Sequence, residues 1–352
     1  MIIRENISSP PLMELGDRDM GDYRNVAEFV RWAKTEFPAK KYMLVIWNHG
    51  SGWRKGAGQT LKGISYDDET GSHINVPQLG AILRETGGVD VYASDACLMQ
   101  MAEVAWELKD HAAYIVGSEE TEPADGYAYD SLLGGLTAAP GMSAQALAAL
   151  AVDTYVAHYA AQGTGATQSA LRAAALPGFL RLSDAFVNSV MAAGDKGVVK
   201  RGLYYAQHFA YEDNKDLHSF VSYVVSRSGS AAVRETGRNL LVYIQNDLVL
   251  RKTFANQTAP VDDLGPVDYS STGGIAVYLP GTSAAAGYEG LKWARDSAWD
   301  DFLRWIALPK SISSYGLGTS PVMGEHAKDI LKLHGTEGLG HLAEGSGTKG
   351  AS

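Results

Sequence analysis

Apolar positions along the first third of the chain switch between a period near 3.6 and short continuous runs. Val26, Phe29, Val30 and Ala33 fall at helical spacing within residues 21–36, which predicts an amphipathic helix ending near Pro38. Tyr42 to Trp47 is an unbroken apolar run closed by Asn48-His49-Gly50-Ser51-Gly52, the pattern of a buried strand entering a glycine-rich loop. Residues 51–63 (SGWRKGAGQTLKG) read as an exposed, basic loop. A helix from Val76 to Thr86 follows, opened by a capping Asn75 and stopped at Gly87-Gly88. Val89 to Ala93 predicts the next strand, leading through Ser94-Asp95-Ala96-Cys97 into a helix that carries Leu98, Met101, Ala102, Val104, Ala105 and Leu108. Tyr114 to Val116 gives a third short strand.

This alternation of strand and helix implies right-handed crossovers and a mostly parallel sheet flanked by helices, an α/β fold. Ligand chemistry in such sheets sits beyond the carboxyl ends of the strands. From about residue 140 the pattern becomes mainly helical: 143–161, 176–193, 217–225, 231–249 and 297–306 read as helices, with strands at 166–171 and 274–279. The chain is therefore expected to divide into a catalytic domain at 1–172, a mainly helical subdomain at 173–310 and a glycine-rich, loosely held tail at 311–352.

Two residues stand at the predicted carboxyl rim. His49 ends one strand and Cys97 ends the next, so parallel pairing would bring imidazole and thiol to one edge of the sheet. A thiol attacks carbonyls as thiolate, and a neighbouring imidazole can take its proton and return it to a leaving amine. Histidine upstream of cysteine by one strand–helix–strand unit is also the caspase order. Gly50 leaves room for a substrate carbonyl, and the N–H groups of Gly50 and Cys97 are candidate oxyanion donors. Asp95 lies two residues before the cysteine, where a carboxylate would share its face. Spacing alone leaves Asp95 open between an acid lining a cation pocket and a strand-end residue bonding its own turn. Asp125, before Gly126, is a second pocket candidate whose other reading is a turn aspartate.

Cys97 is the single cysteine of the chain, which excludes an intrachain disulfide and leaves the redox compartment unread. A net charge of −10 argues against nucleic acid as a partner and suits basic peptides. The longest apolar runs are far shorter than the roughly 20 residues of a membrane span. The N-terminal stretch has no apolar core of a signal peptide, so the compartment stays unassigned: secreted or periplasmic if a leader lies upstream, cytoplasmic otherwise. There is no zinc-binding His-Glu-x-x-His, no Gly-x-Ser-x-Gly elbow, no P-loop and no dinucleotide fingerprint.

The runs YMLVIWNHGSGW (42–53), SDACLMQMAEVAWEL (94–108) and GSEETEPADGYAYDSLLGGL (117–136) resemble the clostripain family of cysteine peptidases, with weaker likeness through GGIAVYLP (273–280) and residues 299–302. The resemblance covers roughly residues 10–308. It implies a caspase-like fold, a dyad falling on His49 and Cys97, cleavage after Arg or Lys, and pocket carboxylates at Asp95 and Asp125. It also implies self-processing between the histidine and the cysteine, where Arg54, Lys55 and Lys62 stand and Lys62 is the site chosen. No cofactor is required for such chemistry. Some members use calcium, for which this chain offers no EF-hand loop and only a diffuse acidic set at Asp67, Asp68 and Glu69. The partners implied are protein or peptide substrates acted on by a monomer. The resemblance also implies a further strand, helix and strand before the segment that aligns with residues 10–37, which this chain is expected to lack, so the sheet beside His49 is expected to be incompletely flanked. A second reading follows from that gap: an inactive caspase-like module that binds basic segments without cutting them.

Overall fold

The structure is a computed structural model that describes residues 11–53, 62–258 and 266–308. The proposed tail at 311–352, together with Arg54 and Lys55, lies outside the described residues.

Helix α1 (Tyr23–Glu36) starts at Asp22, whose side chain accepts from the Arg24 N–H, and leads to strand β1 (Met43–Trp47). A hairpin follows, β2 (Gly63–Tyr66) and β3 (His73–Asn75), then α2 (Val76–Glu85). Asn75 and Gln78 cap α2 reciprocally, each side chain taking the other's backbone N–H. Strand β4 (Val89–Asp95), helix α3 (Ala102–Leu108) and strand β5 (Ala112–Gly117) come next, followed by α4 (Tyr129–Ala138), α5 (Ala144–Ala160) and β6 (Ala166–Arg172). The remainder holds α6 (Leu176–Ala193), α7 (Lys196–Tyr205), β7 (Asn214–Asp216), α8 (Leu217–Arg227), α9 (Ala231–Tyr243), β8 (Val249–Ala255), β9 (Ala276–Tyr278), α10 (Lys292–Asp296) and α11 (Trp299–Ala307).

The main sheet has five strands in the order β1-β4-β5-β6-β8. β1, β4 and β5 pair in parallel, and β6 is antiparallel to both of its neighbours, so β8 points the same way as the first three. The mostly parallel α/β sheet expected from the sequence is present. Side chains alternate across it: Val91, Ala93, Val116 and Ala170 meet Val152, Tyr155 and Tyr159 of α5, while Leu44, Ile46, Tyr92 and Ile115 meet the larger core built by α2, α3, α6 and α8.

Three expectations are corrected. The helix expected through Val249 stops at Tyr243, passes through a π-helical turn (Ile244–Leu248) and becomes β8. The helix expected from Leu98 begins only at Ala102, because Leu98 takes a left-handed backbone (φ 64°) that ends the strand abruptly. Residues 51–53 are buried rather than exposed: Trp53 is 0% accessible and packs edge-on against Tyr278 and Tyr288, ring centroids 4.6 and 4.8 Å away.

β1 forms one edge of the sheet, with β4 as its partner. Along its other side runs a cavity of about 740 Å³ lined by Leu12, Met13, Phe29, Leu44, Ile46 and Trp47 among others. Among the described residues no strand pairs with the outer edge of β1.

Buried Glu103 ties α3 to β9 by accepting from the Tyr278 N–H at 3.0 Å and the Tyr288 hydroxyl at 2.8 Å. Burial pushes its carboxyl from 4.5 up to about 7. Between those two values the folded chain keeps a proton that the unfolded chain has released, so stability is highest below the window and falls as pH rises through it. In urea titrations the difference between wild type and Glu103→Gln should move toward the variant by on the order of 3 kcal/mol from pH 4.5 to above pH 7. A pH-independent difference would show that Glu103 does not carry that proton.

Candidate active site at the carboxyl rim of the sheet

The register of β1 on β4 sets the site. Met43 to Trp47 pair residue by residue with Val91 to Asp95, so Trp47 stands opposite Asp95. One further bond, Asn48 N–H to the Asp95 carbonyl at 3.3 Å, carries the pairing beyond the strands. His49 and Cys97 each come two residues past a strand end, so both leave the same rim of the sheet from neighbouring strands. The Asn48 side chain holds the turn by accepting from the N–H groups of His49 at 2.6 Å and Tyr66 at 2.9 Å. The His49 carbonyl accepts from Ser65 N–H at 3.2 Å, and the residue is exposed.

Gly50 lies directly against the cysteine. A methyl group placed on its Cα would come within 2.4 Å of the Cys97 carbonyl oxygen and 3.1 Å of the Cys97 nitrogen. No side chain fits there without displacing backbone, so the candidate oxyanion donors Gly50 and Cys97 belong to two segments in contact.

Cys97 is half-buried. Its sulfur accepts from the Glu122 N–H at 3.3 Å and faces the Glu122 carbonyl at 3.8 Å. The segment after it is laced to the chain that leaves β5: Leu98 N–H donates to the Glu120 carbonyl at 3.0 Å, and Gln100 N–H to the Ser118 carbonyl at 2.9 Å. These bonds, with a Leu98 side chain 2% exposed, hold the left-handed residue that follows the thiol. Such backbone costs about 1–2 kcal/mol in a non-glycine residue.

Asp95 is 2% exposed and points to the α5 side of the sheet. It accepts from the Tyr127 N–H at 3.1 Å and from the Tyr129 hydroxyl at 2.7 Å. Burial raises its carboxyl above the ordinary range, and the Tyr129 and Tyr127 bonds oppose that rise. Gly126, at φ 64°, permits the loop to pass so close that a side chain there would meet the Asp95 carboxyl at 2.6 Å. Asp125 is exposed at the outer end of the same loop, near enough to Tyr159 for its charge to raise that hydroxyl's pKa, after burial.

Glu122, Tyr127 and Tyr129 were not singled out from the sequence. Glu122 sits in the run Glu119-Glu120-Thr121-Glu122, where composition suggests a solvated turn. Instead, both Glu122 carboxyl oxygens are buried and receive no N–H or O–H donor of full hydrogen-bond geometry. Burial first, and the Asp95 charge second, hold this carboxyl well above the usual range. The Tyr127 and Tyr129 pair, two residues apart after a glycine, was the available signal.

Residues 10–305 match the sequence profile of the clostripain family, peptidase family C11. The chain belongs to the clostripain family. Over 137 residues it is 31% identical to clostripain of Hathewaya histolytica, a match covering 36% of this chain and 26% of that one. The match thus spans about a quarter of that relative's length. Among solved structures, a secreted C11 cysteine protease from Bacteroides thetaiotaomicron in complex with an irreversible peptide inhibitor aligns with TM-score 0.60 and 19% identity, over 80% of this chain and 78% of that one. An inactive zymogen C11 protease from Parabacteroides distasonis aligns with TM-score 0.59 and 19% identity, over 80% and 77% of the two chains. At such identities the likeness establishes the fold, which is caspase-like.

In this clostripain-family chain Lys62 stands immediately before β2, half-buried, with its ammonium 5.4 Å from the Tyr66 ring. The acidic set at Asp67, Asp68 and Glu69 does not fit calcium: the Asp67 oxygens are taken by the N–H groups of Met20, Glu69 and Thr70 and by the Thr70 hydroxyl. Among the described residues no cluster of three or more His, Cys, Asp or Glu is arranged to hold a metal ion, and no helix is long and apolar enough to cross a membrane.

Gly50→Ala tests the contact between the two turns. The added methyl should destabilise the chain by about 1–3 kcal/mol, read as a lower urea midpoint at unchanged slope. An unchanged midpoint would show that Gly50 and Cys97 are not packed together.

Proposed function

We propose that this chain is a cysteine endopeptidase that cleaves after Arg or Lys, with Cys97 as nucleophile and His49 as its base. The observation that carries the reading is the β1–β4 pairing, which ends with Trp47 opposite Asp95 two residues before His49 and Cys97, together with a side-chain-free Gly50 against the cysteine backbone. His49 takes the thiol proton as the sulfur attacks the carbonyl carbon of the scissile bond. Negative charge developing on the carbonyl oxygen is met by the N–H groups of Gly50 and Cys97. The imidazolium then protonates the leaving amine, and water releases the acyl group from sulfur. No cofactor enters these steps.

Selectivity for a cation follows from the acids on the α5 side of the sulfur. Asp95 forms the inner wall of the pocket for the residue before the cut, and Asp125 stands at its outer end. The family relationship supports the reaction class, and the negative net charge of the chain favours basic segments as substrates. Processing after Lys62, at the border of β2, completes the proposal.

A fluorogenic peptide ending in Arg, assayed with wild type, Cys97→Ala and His49→Ala, tests the chemistry. Wild type should turn over and Cys97→Ala should lose more than about 10³-fold of that rate; turnover that survives in Cys97→Ala sinks the reading, and peptide binding without any turnover in wild type favours the non-catalytic module. Asp95→Asn should reduce Arg cleavage by about 10- to 100-fold through loss of a charge-assisted contact, with a smaller effect on a citrulline-ending analogue. For self-processing, intact mass of purified wild type should reveal a cut after Lys62 that Lys62→Ala and Cys97→Ala both lack; a cut that persists in Cys97→Ala excludes processing by the chain itself.

A further inference from the structure

Glu122 plays no part in the reaction just described, yet it borders the sulfur. Its peptide N–H donates to Cys97 Sγ, and its side chain turns inward so that both oxygens are shut off from water. Those oxygens receive no full-geometry N–H or O–H donor, which is costly for a buried carboxylate. The side chain instead lies within hydrogen-bonding reach of the Asp95 carboxyl. Two carboxyl groups can bond to one another only if one of them carries a proton, and two buried carboxylates at such range cannot both remain ionised. Asp95 is already the acceptor for Tyr127 N–H and Tyr129 OH, so Asp95 keeps the charge and Glu122 the proton.

The groups facing Glu122 are Asp95 from the end of β4, Cys97 from the turn after it, Tyr127 and Tyr129 from the start of α4 and the loop before it, Tyr155 and Tyr159 from α5, and the neutral Gln168 amide of β6, which partly offsets the rise of the Glu122 carboxyl. None of these is a cation. A positive charge would therefore have to be brought by the substrate. We propose that Glu122 and Asp95 hold one proton between them at the inner end of the substrate pocket, and that a basic side chain entering the pocket expels it to solvent. Glu122 is then a specificity-determining residue: the empty pocket carries one negative charge, and the pocket filled by Arg or Lys carries two against the ligand's cation. The inference rests on the basic-residue reading proposed above and adds to it a dependence on pH. Binding of a cationic residue competes with a proton, whereas binding of a neutral residue of the same shape does not.

The ratio of kcat/KM for an Arg substrate to that for its citrulline analogue isolates this effect, because whatever pH does to the chemical step acts on both substrates and cancels. In wild type the ratio should climb with pH by about tenfold per unit over the acid limb, where the shared proton must be displaced. In Glu122→Gln, isosteric and free of that proton, the ratio should be flat over the same range and lower than wild type at the alkaline end. A second measurement does not depend on that variant folding. Calorimetry of an Arg-ending peptide with Cys97→Ala, in two buffers of different ionisation heat, should detect about one proton released per peptide bound over the same acid limb. If wild type prefers Arg but its ratio does not change with pH, or if Glu122→Gln keeps the wild-type slope, or if no proton is released, this inference fails while the basic-residue reading stands. If wild type shows no preference for Arg over citrulline at any pH, both fall.

Discussion

Parallel pairing of β1 with β4 is the constraint from which the rest of the rim follows. With Trp47 opposite Asp95, the two segments leave the sheet side by side at the same rim. The Asn48-to-Asp95 bond extends the register by one step, and the Asn48 side chain then fixes the turn by bonding to His49 and Tyr66. A slip of one residue would turn every side chain to the opposite face and remove Gly50 from the cysteine. The tight approach at Gly50 and the buried Trp53 anchor three residues later both secure this arrangement from the β1 side.

Below the rim the chain concentrates acids that would ordinarily face water. Glu119, Glu120 and Glu122 are all held above their usual carboxylate range, burial being the first cause in each. Glu120 accepts from the Thr121 and Ala210 N–H groups and from the Tyr269 hydroxyl, and so serves as a joint between the sheet and the later part of the chain. Glu119 accepts from Gly274 N–H and lies beside Asp216 and Lys252. Glu122 differs in that only the Gln168 amide stands near its carboxyl as a donor, short of full hydrogen-bond geometry, and it is the member of the run that borders the sulfur.

The strands that deliver His49 and Cys97 were readable because a continuous apolar run ending in glycines, or in a short polar stretch, can hardly be anything but a buried strand meeting the surface. Glu122 was not readable, since three glutamates in four residues carry the composition of a solvated turn and nothing in their spacing tells which one faces inward. β8 escaped for a different reason: Ile244 and Leu248 keep the helical period alive through the π turn, so the apolar pattern passes into the strand without a break. Trp53 was masked by its polar and basic neighbours, which describe the loop around it and not the aromatic pocket that receives it.

The left-handed Leu98 has one further consequence. Its N–H and that of Gln100 bond to the Glu120 and Ser118 carbonyls, while the Glu122 N–H bonds back to the sulfur. Three rungs thus weld the turn bearing the thiol to the strip of chain that walls the acid pocket. Lengthening or shortening that strip to remodel the pocket would drag the sulfur out of line. Descendants of this chain with new tastes in substrate would more easily arise by exchanging side chains on a fixed backbone, at positions such as 122 and 125, than by insertion or deletion in the wall itself.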